Sequence, residues 1–198
     1  MFARLALLST ALLSMSLLGA CATKPAQNEL AGPPPASQPS FEDGELVQAV
    51  SQHLGVTSES AASAIERLFA ERGRPSAYIT GEEGGGAFTI GARYGQGTLW
   101  MKDGRKERIY WQGPSVGFDV GAEASKVFTL VYDLDDPDDI YRRYPGVDGS
   151  AFLVAGMAVN VQRANGITLA PVRSGVGVRL GANIGYSSYT RKRGWIPL

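Results

Sequence analysis

Alternating apolar residues in a glycine-rich stretch constrain the fold more than any other feature of this chain. From Gly73 to the C-terminus, 126 residues contain 21 glycines, whereas an average glycine usage of about 7% predicts only about nine. Apolar residues occupy every second position in the segments 87–94, 114–122 and 176–186. A period of two with one apolar face is typical of half-buried antiparallel strands. The region therefore predicts a mainly β domain.

Two glycine series indicate how the predicted sheet curves. In each series a glycine recurs at every fourth residue, which places all of its members on one face of the strand. The series are Gly113, Gly117 and Gly121, and then Gly177, Gly181 and Gly185. Glycine at such positions permits strong coiling, and a sheet needs kinks of this kind to close on itself. We expect a small antiparallel, glycine-kinked β-barrel or a strongly coiled sheet with an apolar interior.

Further strands bring the predicted total to about nine. In 87–94 the alternation places Phe88, Ile90, Ala92 and Tyr94 on the apolar face. The candidates outside the three segments above are Ala77–Thr80, Thr98–Lys102, Glu107–Gln112, Lys126–Tyr132, Ala151–Gln162 and Ile167–Val172. Between the strands, Asp136 followed by Pro137 predicts the start of a short helix.

A short helical hairpin precedes the strands. Residues 45–54 carry apolar side chains at helical spacing and end before Gly55. Thr57 or Ser58 can cap a second helix that runs to Arg72, where the following glycine ends it. His53 falls near the end of the first helix, and we expect it to be a hydrogen-bonded residue of the helix end rather than a catalytic one.

The N-terminus predicts export and lipid attachment. Arg4 is followed by an apolar run over 5–18, which is too short for a membrane-spanning helix and fits a secretory signal. Leu18-Gly-Ala-Cys21 resembles a bacterial lipobox, in which the cysteine is acylated and the chain is cleaved before it. An ordinary signal that is cleaved nearby is the alternative. Several acyl chains on Cys21 would give stable anchoring. By resemblance to the sorting rules of such lipoproteins, Ala22 in place of Asp favours the outer membrane over the inner membrane.

These features divide the chain into four parts. Residues 1–20 are a lipoprotein signal peptide, and residues 21–44 are a Pro-rich tether that carries acylated Cys21. The tether contains Pro33-Pro-Pro35, which favours extended polyproline conformation. Residues 45–73 form the helical hairpin, and 74–198 form the β-barrel domain.

Residue counts exclude several classes of function. Lys plus Arg and Asp plus Glu number 19 each, so the chain lacks the basic excess of a nucleic-acid-binding protein. One His and one Cys cannot build a His/Cys zinc site, a disulfide framework or a Cys–His nucleophile pair. The aspartates of 133–139 lack the spacing of a calcium loop. We therefore predict no metal site and no cofactor.

The sequence assigns no catalytic residue. Gly113-Pro-Ser115-Val-Gly117 matches the G-x-S-x-G elbow of hydrolases, but a strand pattern follows it and the single His lies upstream. Glu82 and Glu83 are adjacent, so on a strand they point to opposite faces. An enzyme that acts on envelope polysaccharide through distant carboxylates stays open as a weaker alternative.

The C-terminal segment contains a candidate binding site. Arg191-Lys192-Arg193-Gly-Trp195 combines three cations with an indole, and such a combination suits the anionic headgroups of a membrane interface. A solvated tail is the alternative. The candidate contacts to lipid headgroups are Arg191, Lys192, Arg193 and Trp195.

Several motifs resemble the envelope integrity protein A (EipA) family of alphaproteobacteria. They are RPSAYITGEE (74–83), RYGQGTL (93–99), YWQGPSVG (110–117), YPGVDGS (144–150) and RSGVGVRLG (173–181). The resemblance implies a small periplasmic β-barrel that supports envelope integrity and has no assigned enzymatic activity. The order of Gly95–Leu99, Trp111, Gly117 and 186–192 is also distantly similar to the SYLF lipid-binding domain, which implies affinity for anionic lipid.

Three functional hypotheses follow. In the first, the chain is a non-enzymatic, lipid-anchored protein on the periplasmic face of the outer membrane, where it supports envelope integrity as a binding or structural module. In the second, the barrel is a SYLF-like lipid carrier or sensor, and in the third it is the polysaccharide-acting enzyme. The expected partners are the membrane, through Cys21, and either an anionic lipid or an envelope protein or polysaccharide. A soluble periplasmic protein is the alternative location.

Overall fold

The described part of the chain contains two α-helices, one short 3₁₀ helix (Pro137–Ile140) and eight strands. The computed structural model describes residues 40–85, 92–114, 125–174 and 185–194, all of which lie in one unit that begins at Ser37. The helices are α1 (Asp43–Leu54) and α2 (Ser58–Arg72). The strands are β1 (Ala77–Gly85), β2 (Ala92–Met101), β3 (Lys106–Pro114), β4 (Ser125–Tyr132), β5 (Arg143–Val154), β6 (Met157–Ala164), β7 (Ile167–Ser174) and β8 (Tyr186–Thr190).

The helical hairpin forms where the sequence predicts it. α1 begins at Asp43 rather than at Glu45, because Glu42 and Glu45 form a reciprocal capping box. Gly55 ends α1 in the left-handed conformation with a φ of 69°. Thr57 is the cap of α2 and accepts a hydrogen bond from the backbone N–H of Ser60 at 3.2 Å. Neither helix, nor any other in the described segments, is long and apolar enough to cross a membrane.

The strands close into an antiparallel barrel, which confirms the predicted fold class. The order around the barrel is β1-β2-β3-β8-β5-β6-β7-β4, and the β1–β4 pair completes the ring. β1, β3 and β7 all finish at one end of the barrel, which we call the polar end. The short turns after β2 and β6 lie at the opposite end, which we call the apolar end.

The prediction of one strand over Ala151–Gln162 is wrong. β5 ends at Val154 and β6 begins at Met157, so this apolar run contains a hairpin. Ala155 and Gly156 connect the strands with φ values of 48° and 78°, and two residues with positive φ are typical of a tight hairpin turn. Because alanine rarely adopts positive φ, the sequence does not indicate a turn at Ala155.

The predicted boundaries of other strands also differ from the structure. The segments 87–94 and 98–102 are separate in the prediction, whereas β2 runs without a break over Ala92–Met101. β5 begins at Arg143, where no strand is predicted. Residues 87–91 and 115–122 of two predicted strands, most of 176–186, and the glycines at 117, 121, 177 and 181 lie outside the described residues.

Apolar side chains form two separate cores. The first lies between the helical hairpin and the outer face of β4, β6 and β7. It contains Leu46, Val50, Leu54, Ala61, Ala64, Ile65, Leu68, Phe128, Leu130, Tyr132, Met157, Val159, Val161, Ala170 and Val172. The second lies inside the barrel. It contains Ala77, Ile79, Leu99, Met101, Ile109, Trp111, Val127, Val131, Leu134, Ile140, Tyr144, Ile167, Leu169 and Tyr189. The helices therefore cover one side of the barrel, across the ring from β3 and β8.

Candidate functional site inside the barrel

Trp111 occupies the middle of the barrel because glycines on β1 and β2 make room for its indole. A Cβ atom added to Gly95 would overlap the indole ring, and one added to Gly81 would lie 2.6 Å from its Cη2 atom. The ring centroid of Trp111 lies 5.9 Å from that of Tyr189, which contacts Tyr144 edge-on at 5.6 Å. These three rings occupy the interior between the apolar end and the polar end.

A buried ion pair connects β1 to β7 on the polar side of Trp111. Arg173 donates from Nε to Oε1 of Glu83 and from Nη2 to Oε2 at 3.2 Å. The Trp111 Nε1–H donates to the same Oε2 at 3.1 Å. The Glu83 and Arg173 side chains are 0% and 9% exposed. Since β4 lies between β1 and β7 in the ring, this two-point contact spans a strand through the interior.

Arg93 brings a second guanidinium into the interior. Its Nη2 donates to Ser187 Oγ at 2.7 Å, and Gln162 Nε2 donates to the same oxygen at 3.0 Å. A hydroxyl oxygen has two lone pairs, so it can accept both bonds. All three residues are buried. We call Glu83, Arg93, Trp111, Gln162, Arg173 and Ser187 the interior polar cluster.

The contacts of the interior polar cluster fix its charge states. Burial by itself would raise the pKa of Glu83, but the charges of Arg173 and Arg93, together with the hydrogen bonds to its carboxylate, lower this pKa to about 2. Burial opposes ionisation of Arg173, yet the Glu83 carboxylate raises its pKa. Burial also raises the pKa of Tyr189 to about 12. Glu83 is therefore ionised near neutral pH, which suits an ion pair and not a general acid.

The lowered pKa of Glu83 predicts a loss of stability in acid. The folded-state pKa of about 2 lies below the ordinary value of 4.5, so the stabilisation is complete above about pH 4.5 and is lost as the pH falls towards 2. We expect Glu83→Gln to lower the free energy of unfolding by about 3 kcal/mol at pH 7. This difference from the wild type should shrink steadily below pH 4.5. Urea unfolding of both chains between pH 7 and pH 2.5 measures it, and a difference that does not change with pH would contradict the assignment.

Sequence reasoning missed the charged residues of the interior. The alternation in 87–94 predicts Tyr94 on the buried face and Arg93 opposite to it. The structure reverses this, because Arg93 is 2% exposed whereas Tyr94 is only half-buried. A charge can be buried here because an opposite charge comes from another strand. The prediction that Glu82 and Glu83 point to opposite faces is confirmed, since Glu82 is exposed and Glu83 is buried.

Three of the four predicted headgroup contacts, Arg191, Lys192 and Arg193, lie on the outer surface, and headgroup binding by them stays a prediction. Arg191 forms an ion pair with Asp138, and its guanidinium lies 4.4 Å from the ring centroid of Tyr141. Arg193 Nη2 donates to Gln96 Oε1 at 2.7 Å, and Lys192 is exposed. Cys21, Trp195 and the serine of the G-x-S-x-G match lie outside the described residues.

The remaining sequence candidates have structural roles. His53 Nε2 lies 3.0 Å from the carbonyl oxygen of Gly81 and 3.1 Å from that of Val127, which confirms a hydrogen-bonded histidine at the helix end. Asp136 accepts a hydrogen bond from the backbone N–H of Asp138 at 2.9 Å and caps a short 3₁₀ helix, as predicted. Within the segments that the structure describes, no group of His, Cys, Asp and Glu side chains could hold a metal ion.

The fold and its interior define a class of small, closed antiparallel barrels that carry a helical hairpin on one side and a buried ion pair inside. The family model of envelope integrity protein A matches residues 39–198, and the chain belongs to this EipA family. Its fold is similar to the crystal structure of a beta-barrel-like, uncharacterized protein from Brucella abortus, with 45% sequence identity and a TM-score of 0.74. That match covers 80% of this chain and 99% of the other. The search of curated proteins found no match.

Proposed function

We propose that this protein is a non-enzymatic, lipid-anchored component of the cell envelope. Acylated Cys21 holds it on the periplasmic face of the outer membrane, and the barrel serves as a rigid binding or structural module that supports envelope integrity. Membership of the EipA family supports the envelope role. The position of the single cysteine at the end of the lipobox-like segment supports the anchor.

The observation that carries this proposal is the occupied interior of the barrel. Among the described residues, buried apolar side chains lie at the apolar end, Trp111 and Tyr189 follow, and the Glu83–Arg173 ion pair lies on the polar side of them. A lipid carrier would need this volume for its cargo. Glu83 is ionised and bound by Arg173, so its state suits structure better than acid catalysis. A barrel of this kind acts through its outer surface.

Mass spectrometry of the N-terminal peptide of the native protein tests the anchor. We expect the chain to begin at Cys21 and to carry acyl chains there, because the segment before it has the apolar core and small residues of a lipoprotein signal. Cys21→Ser should remove the protein from the outer-membrane fraction. An unmodified peptide that begins at another residue would overturn the anchor.

A matched variant and a functional assay complete this test. Ala22→Asp should keep the acyl chains but move the protein towards the inner membrane, so it separates loss of acylation from altered sorting. In a strain that lacks the gene, the wild type should restore resistance to detergent, and Cys21→Ser should restore it less well. Equal rescue by both chains would show that the barrel supports the envelope without an anchor.

A further inference from the structure

The outer face of β2, β3, β8 and β5 carries positive charge and aromatic rings. Five exposed cationic side chains lie there or directly after β8, and three aromatic rings lie between them. We call this set the cationic face: Lys106, Arg108, Arg143, Lys192, Arg193, Trp100, Tyr110 and Tyr186.

The alternation of the strands shows that these side chains point away from the interior. Leu99, Ile109 and Tyr189 belong to the interior core, and they are sequence neighbours of outward residues on β2, β3 and β8. The pairing register then brings the outward residues together. Trp100 pairs with Lys106 across β2 and β3, and the outward residues of β3 and β8 pair in turn.

Cations and rings of the cationic face contact one another. Lys106 Nζ lies 4.2 Å from the ring centroid of Trp100, and the Arg143 guanidinium lies 4.2 Å from that of Tyr186. Side chains that combine an apolar stem or ring with a polar end suit the boundary between water and lipid. This combination differs from a purely charged surface that only keeps a protein soluble.

Two guanidiniums converge on one neutral oxygen within the cationic face. Arg108 Nη2 donates to Gln96 Oε1 at 3.3 Å, and Arg193 Nη2 donates to the same atom at 2.7 Å. An anionic group bound at this place would be attracted by both guanidiniums. A phosphate has the charge and the acceptor oxygens for such binding.

The sign of the charge is uniform on the cationic face. On β2, β3 and β8, and on β5 as far as Val147, the described outward side chains include no Asp or Glu. The chain as a whole has equal numbers of acidic and basic residues, 19 each, so these described strands carry a local excess of positive charge on their outer face. Arg191 is left out of the set because Asp138 and Glu107 lie beside it.

The cationic face approaches the point where the N-terminal segment enters the folded domain. The backbone N–H of Phe41 bonds to the carbonyl oxygen of Pro75, and Lys102 Nζ lies 4.7 Å from the Phe41 ring centroid. Lys102 begins the turn between β2 and β3, at the same end of the barrel as Lys106 and Trp100. A chain held at Cys21 therefore reaches the domain at the end where the cationic face begins.

We propose that the cationic face binds the anionic surface of a phospholipid membrane. Lipid phosphates contact Lys106, Arg108 and Arg193, while Trp100 and Tyr186 lie at the headgroup level. The helical hairpin packs on the outer face of β4, β6 and β7, across the ring from β3 and β8, so the side of the barrel that it covers points away from the lipid. This orientation rests on the proposed anchor at Cys21, but binding by the cationic face is a separate property that can be measured without acyl chains.

Vesicle co-sedimentation tests the cationic face. The probe is the complete mature chain from position 21, made without its signal segment and with Cys21→Ser, so that acylation is absent. Vesicles contain phosphatidylcholine alone or with about 25% phosphatidylglycerol, at about 0.05 M and about 0.5 M salt. We expect binding only to the anionic vesicles at low salt, because exposed charges are screened within about 10 Å at 0.1 M salt.

Two triple variants with the same change in net charge make the result specific. Lys106→Gln, Arg108→Gln and Arg193→Gln together should lower the partition coefficient about tenfold or more. The control combines Arg67→Gln, Lys126→Gln and Arg163→Gln, all exposed residues of other surfaces, and should bind nearly as the wild type does. Circular dichroism checks that both variants remain folded.

Each outcome decides the proposal. Loss of binding in the first variant alone supports it. Equal losses in both variants would mean that net charge, and not the cationic face, controls binding, and would overturn it. No binding of the wild type to anionic vesicles would also overturn it. The native acylated protein would still stay with membranes in that case. A negative result would therefore contradict binding by the cationic face without contradicting the proposed anchor at Cys21.

Discussion

Arg173→Met should lower the free energy of unfolding by about 4 kcal/mol at neutral pH. The substitution removes the two-point contact to Glu83 and leaves a buried carboxylate whose remaining contacts include the Trp111 Nε1–H. Methionine keeps much of the apolar volume of the arginine side chain, so the loss reports the charge rather than a cavity. Urea unfolding followed by circular dichroism measures the change.

A surface ion pair provides the control for Arg173. Arg67 and Glu71 form an exposed pair on α2 at 2.9 Å, with side chains 45% and 38% exposed. Arg67→Met should cost no more than about 0.5 kcal/mol, because solvent screens exposed pairs. In the double variant Glu83→Gln with Arg173→Met, the total loss should be smaller than the sum of the two single losses. A loss below about 1 kcal/mol for Arg173→Met would contradict the role of the ion pair.

The sequence could predict the structures that have local signals, but it could not predict the buried ion pair. Helix spacing, the Gly55 stop and the period of two in the strands are local signals, and the helical hairpin and the barrel follow from them. The buried ion pair has no local signal, because Glu83 and Arg173 are 90 positions apart. Their strands become neighbours of β4 only when the barrel closes. An isolated glutamate or arginine in a strand pattern looks like an outward residue until its partner is known.

The same reasoning applies to Arg93 and to the hairpin between β5 and β6. The apolar alternation of its own segment places Arg93 on the outer face, yet Arg93 is buried. Burial is possible because Ser187, on β8, accepts a hydrogen bond from its guanidinium. Ala155 is at positive φ in a turn where a glycine or asparagine would have been recognised. In both cases tertiary contacts override the preference of the local sequence, so the local pattern predicts the wrong structure.

The sequence does not indicate which group approaches the glycines on β1 and β2. The structure identifies it as the Trp111 indole, and this leads to a strong prediction. Gly95→Ala should lower the free energy of unfolding by about 4 kcal/mol, since overpacking costs about 1–3 kcal/mol and displacement of Trp111 breaks its bond to the charged Glu83. The effect comes from space and not from backbone strain, because Gly95 is not among the glycines with positive φ.

Two further comparisons separate this explanation from a general intolerance of alanine. Gly44 lies in α1 with no atom within 4 Å of an added Cβ, so Gly44→Ala should stabilise the protein by about 0.5 kcal/mol through helix propensity. Trp111→Leu will itself be destabilising, but in that background Gly95→Ala should cost less than about 1 kcal/mol, because the overlapping ring is gone. Urea unfolding followed by circular dichroism measures the wild type and the four variants. If Gly95→Ala costs the same with and without the indole, Trp111 is not what the glycine accommodates, and the interior must be packed in another way.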